Sequence, residues 1–111
     1  MTRSLETHTI TWRGVTIEVR YEEKWLGRDG PFSTAHLELR AIAPERTPLP
    51  MTETGYRSHV TPASVIAEAG GPVAFVEAWL IHEARSKAWK DREEAAAADD
   101  ALLGAWRAVW L

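Results

Sequence analysis

Tyr56, Arg57, Ser58 and His59 form a compact run of side chains able to do acid–base work. An arginine can hold a phosphate, and a histidine beside a tyrosine can move a proton. The run therefore fits binding and cleavage of a phosphodiester by general acid–base catalysis. It equally fits a contact for a partner protein, because Tyr and Arg are enriched among the residues that dominate binding energy. It also fits a connector with a purely structural role, in which Tyr56 packs, Arg57 pairs with Glu53 or a sheet carboxylate, and Ser58 caps. The run closes the stretch TPLPMTETGYRSH, residues Thr47 to His59, between a strand-patterned half and a helix-patterned half. Loops held by a rigid scaffold are where function concentrates.

Other chemistry is weaker. His82-Glu83 opens HEARS, and Ser86 stands where a zinc motif of the H-E-x-x-H type needs its second histidine. His8, His36, His59 and His82 lack partners at ligand spacing, so no metal is expected. Ser33, Ser58, Ser64 and Ser86 lie in no nucleophile elbow. Gly70-Gly71-Pro72 lacks the spacing and lysine of a phosphate loop. No cofactor is expected. Glu93, Glu94, Asp99 and Asp100 instead suggest an acidic surface able to occupy a basic site meant for nucleic acid. Trp106 and Trp110, four residues apart, suggest a helix face that either closes the core or meets a partner or a second copy.

Composition narrows the classes. The 111 residues suit one domain, with 45% apolar and 26% charged residues. Residues 1–60 hold eight basic and eight acidic side chains, and the remainder five and eight, so the net charge of −3 is C-terminal. Direct nucleic-acid binding is disfavoured on that balance. The chain has no cysteine, which removes disulfides and thiolate chemistry. MTRSLETHTI lacks the apolar run of a secretory signal, and no window reaches about 18 apolar residues. The expectation is a bacterial cytoplasmic protein without a membrane segment.

The elements that must position these residues follow from periodicity. Ile10 and Trp12, then Val15, Ile17, Val19 and Tyr21, alternate with polar residues, which predicts a hairpin turning at Arg13-Gly14. Either a type I′ turn or a one-residue bulge suits that pair. Ala35 to Ile42 reads as a third strand, whose Arg40 and Glu38 would meet Glu18 and Arg20. Thr61-Pro62 opens a helix that stops at Gly70-Gly71. Pro72 opens a longer one with the stripe Val73, Val76, Leu80, Ala84 and Ala88, and with Glu83 paired to Lys87. Asp99 or Asp100 caps a last helix. The expected layout is a single α+β domain, residues 1–111. It has a three-stranded antiparallel sheet (about 8–42), a connector (43–60), and helices (about 62–69, 72–98 and 100–110) over one sheet face.

The runs TWRGVTIEVRYEE, TPLPMTETGYRSH and AEAGGPVAFVEAWL, spanning most of residues 11–90, resemble small accessory proteins of plasmids and genomic islands of alpha-proteobacteria. That resemblance implies a mobile-element setting and carries no particular activity. It makes a non-enzymatic protein-binding accessory protein the leading expectation, of the anti-CRISPR or antirestriction type, acting on a host nucleic-acid-handling complex. The partner-binding residues would be Tyr56, Arg57, His59, Glu93, Glu94, Trp106 and Trp110. A toxin-like nuclease using Tyr56, Arg57 and His59 is the alternative. A self-associating module, dimeric through its C-terminal helix, is the third reading.

Overall fold

The period-two pattern of the first half is realised as strands β1 (Leu5–Trp12), β2 (Val15–Glu22) and β3 (Thr34–Ala43). The computed structural model describes residues 5–24 and 33–110, with side chains through residue 98. Arg13 and Gly14 both take positive φ, 47° and 79°, and Trp12 pairs with Val15 across them. This is a two-residue turn of type I′, whose twist suits the flanking strands. Val15, Ile17, Val19 and Tyr21 from β2 and Ala35, Leu37, Leu39 and Ala41 from β3 are buried on one face. On the other face Glu18 pairs with Arg40 and Arg20 with Glu38, as the alternation predicts.

Among the described residues the sheet has four strands, not three. Tyr56–Pro62 forms β4, antiparallel to β3, giving the order β1-β2-β3-β4. The segment expected to be a connector to residue 60 is therefore partly strand. Its period-two signal is hidden because its inward positions are Arg57, His59 and Thr61, opposite Leu39, Leu37 and Ala35. Thr61 and Pro62 are consequently strand residues and not a helix cap. Helix α1 (Ala63–Ala69) starts directly after them, and its first N–H donates to the Ser33 carbonyl at 2.9 Å.

The rest of the connector is tied down at several points. Leu49 is fully buried in the core, and Leu49 and Thr52 exchange backbone hydrogen bonds of 2.8 and 3.0 Å. Thr52 Oγ1 donates to the Tyr56 carbonyl at 2.7 Å, and the Thr47 hydroxyl donates to the Pro44 carbonyl at 2.7 Å. Gly55, at φ 75°, lies against the backbone of Arg46 and Thr47.

Gly70, left-handed at φ 102°, ends α1, and α2 (Pro72–Ala84) leaves at an angle of 81°. Ile66, Val76 and Leu80 reach the core with the two sheet strands. Here the expected long helix divides. α2 stops at Ala84, and α3 (Lys87–Trp110) begins after Ser86, whose Oγ accepts the Trp89 N–H at 3.1 Å. That is an N-cap bond. The split places Glu83 and Lys87 in different helices, and Lys87 pairs with Asp91 at 2.7 Å instead. α3 runs unbroken through Asp99 and Asp100, so neither opens a separate helix. At about 1.5 Å per residue its 24 residues span about 36 Å. Among the described residues no single helix is long and apolar enough to cross a membrane. The bent α1–α2 pair meets that measure by length and composition alone, and its Ile66, Val76, Leu80 and Ala84 are buried.

Candidate functional site

Alternation along β4 decides what its side chains can do together. Arg57 and His59 point to the helix-covered side. Tyr56 and Ser58 point to the open side, opposite Arg40 and Glu38. The run of residues 56–59 is therefore two half-sites on opposite faces of a sheet.

On the covered side, His59 stacks on Phe75 at 6.0 Å and tilts against Trp79 at 4.8 Å, with Phe75 and Trp79 5.9 Å apart. The Arg57 guanidinium lies 5.9 Å over the Trp79 ring. Arg57 thus packs on an aromatic face and does not pair with Glu53. Burial first, and the Arg57 charge second, hold the His59 imidazole below its ordinary pKa. A histidine kept neutral in the folded state stabilises fully above its unfolded pKa of about 6.5 and loses that contribution as pH falls below it. The melting temperature is expected to drop as pH falls through and below about 6.5, and His59→Gln to flatten that part of the profile. Identical pH profiles for the two proteins would refute this.

The open side carries rows of side chains across all four strands. One row is Thr9, Glu18, Arg40 and Tyr56, and the next is Thr7, Arg20, Glu38 and Ser58. Arg40 lies 5.4 Å over the Tyr56 ring, Arg20 is 4.0 Å from the Glu38 carboxylate, and His36 Nε2 is 2.6 Å from Ser58 Oγ. The Arg40–Tyr56 end opens into a groove of about 920 Å³, continued by Glu45, Arg46, Glu53 and Thr54 of the connector. Tyr56, 41% exposed, is its aromatic wall. Two arginines and three glutamates around one tyrosine suit polar recognition of a partner surface.

The start of α3 braces the hairpin tip. Trp89 is buried against Trp12 at 5.8 Å, Arg13 donates to Glu93 at 2.7 Å, and Arg92 lies 3.4 Å from Glu53. Glu93 is thereby engaged within the chain, whereas Glu94 is exposed. The side chains of Trp106, Trp110, Asp99 and Asp100 lie outside the described residues. His82 is exposed on α2, and no group of three His, Cys, Asp or Glu able to hold a metal ion occurs among the described residues. Sequence reasoning missed Arg40, Glu45, Arg46 and Thr54 as groove residues. The pairing of β3 with β4 sets Arg40 beside Tyr56, and the close approach of Gly55 to residues 46–47 brings the connector there.

The architecture defines an α+β module whose antiparallel sheet has helices packed on one face and the other face open. Compared with known families, the chain matches the KlcB third domain over residues 5–89, and it belongs to that family. KlcB is a plasmid-encoded protein, in keeping with a plasmid accessory protein. No curated protein and no solved structure gives a match.

Proposed function

We propose that this chain is a non-catalytic binding module of a plasmid accessory protein, docking on a host protein through the open sheet face around Tyr56. The reading is supported above all by the separation of Tyr56 from Arg57 and His59. A general acid–base site needs its groups within hydrogen-bond reach of one substrate, and a strand's alternation puts these on opposite faces. Tyr56 and Arg40 in an open groove have the side-chain types that dominate protein interfaces. The target in this reading is a nucleic-acid-handling complex of the host cytoplasm, inhibited in the anti-CRISPR or antirestriction manner, in an alpha-proteobacterial setting. Exposed Glu94 and the acidic C-terminal half complement a basic partner surface.

Capture of a stoichiometric partner from a plasmid-bearing host tests this. The double variant Tyr56→Ala/Arg40→Ala is expected to weaken capture by about 2 kcal/mol or more, about 30-fold in Kd. Arg57→Ala/His59→Ala is expected to retain it. Equal retention by both variants, or substrate turnover lost with His59 alone, would overturn the reading.

A further inference from the structure

Both outer strands of an open sheet present unpaired backbone groups, and proteins normally shield such edges with charge, proline, bulges or a covering element. β4 is shielded in this way: it carries Arg57, ends at Pro62 and runs directly into α1. β1 is not. Its eight residues, LETHTITW, contain no proline, glycine, lysine or arginine, and its register with β2 is unbroken from Leu5 to Trp12. Among the described residues nothing pairs with its outer side.

The turn geometry says which backbone groups are free. Trp12 and Val15 flank a two-residue turn, so they form a hydrogen-bonded pair, and such pairs alternate along an antiparallel ladder. Glu6, His8, Ile10 and Trp12 therefore bond to β2. The N–H and C=O of Leu5, Thr7, Thr9 and Thr11 point away from it, and the side chains of these four are exposed on the open face.

This edge is complementary to itself. With Thr9 opposite Thr9 of a second antiparallel copy, Thr7 falls opposite Thr11 and Thr11 opposite Thr7. The three outward hydrogen-bonding pairs from Thr7 to Thr11 are then threonine with threonine, a favourable cross-strand pair, while Leu5 falls opposite Arg13 of the turn, beyond the ladder. His8 falls opposite Ile10 and Glu6 opposite Trp12, so no like charges meet. The twofold axis stands perpendicular to the sheet, which keeps the helices of both copies on one side and makes the contact isologous. We propose that β1 is a homodimerisation edge, joining two copies into an eight-stranded sheet. The inference does not depend on the partner-binding reading. If both hold, the dimer presents one continuous open face with two Tyr56 grooves.

Light scattering on the full chain across a concentration series tests it, with amide hydrogen exchange as a second readout. The wild type is expected at twice the monomer mass, with the Thr7, Thr9 and Thr11 amides protected. Thr9→Pro removes an N–H that bonds nothing within the monomer, so it is expected to halve the mass while leaving the circular dichroism spectrum unchanged. Thr9→Lys places two ammonium groups together at the twofold axis and is expected to do the same. It carries the result if the proline variant fails to fold. A wild type that stays monomeric at its highest soluble concentration would overturn the proposal. So would a dimer that survives Thr9→Lys, or one abolished by deleting residues 99–111 with β1 intact. Protection of these amides only on adding another protein would assign the edge to that partner and overturn self-pairing.

Discussion

Leu80→Asp unfolds the protein, and Val19→Asp does the same, while Glu18→Ala leaves the melting temperature within a few degrees. Leu80 of α2 and Val19 of β2 are both fully buried in one cluster with Ile17, Leu37, Leu39 and Val76. Removing either aliphatic side chain forfeits about 2–3 kcal/mol of apolar burial. An unpaired carboxylate in its place adds several kcal/mol more, or titrates to its neutral form at similar expense. The sum is comparable to the whole stability of a small domain, about 5–15 kcal/mol. Glu18 is on the opposite face, paired across the strands with Arg40. A partly exposed pair of that kind contributes about 0–1 kcal/mol. Thermal unfolding followed by circular dichroism reads all three, and equal losses at all three would refute the assignment of faces.

Gly55→Ala is the second large effect. At φ 75° a side chain is strained by about 1–2 kcal/mol. The new Cβ would also stand 2.7 Å from the Arg46 carbonyl carbon and 2.8 Å from the Thr47 oxygen, both backbone atoms that cannot rotate away. Overpacking of this sort costs about 1–3 kcal/mol. The Gly55 carbonyl accepts the Ala41 N–H at 2.8 Å, so displacing the glycine also loosens the join between β3 and the connector. The expected loss is about 2–5 kcal/mol, on the order of 10–20 °C in melting temperature. Gly14→Ala is a useful comparison, because Gly14 shares the positive φ but has nothing within 4 Å of its Cβ position. A larger loss at Gly14 than at Gly55 would show that the close approach to residues 46–47 is not what matters.

The open-face pairs are legible in the sequence. Once Leu37 and Leu39 mark one face of the third strand, antiparallel pairing places Arg40 and Glu38 against Glu18 and Arg20, and it does. Legibility failed where a residue's environment comes from elsewhere in the chain. Ser86 is an ordinary N-cap residue in an apparently continuous helical pattern. The stripe expected through Ala84 and Ala88 does not cross the break: Ala84 is buried but Ala88 is exposed, and Trp89 is the residue that α3 buries.

By itself the sequence determined the hairpin at Arg13-Gly14, the buried faces of β2 and β3, and the break between α1 and α2 at Gly70-Gly71-Pro72. Each rests on a local rule: period-two alternation, glycine's access to positive φ, or proline's place at a helix start. The tertiary structure alone decided that Tyr56–Pro62 is the fourth strand and that Tyr56 parts from Arg57 and His59. The inward positions of that strand are a cation and an imidazole, which no hydrophobic pattern recognises. They are accommodated there because Phe75 and Trp79, on a helix later in the chain, supply aromatic faces on which half-buried His59 and exposed Arg57 pack.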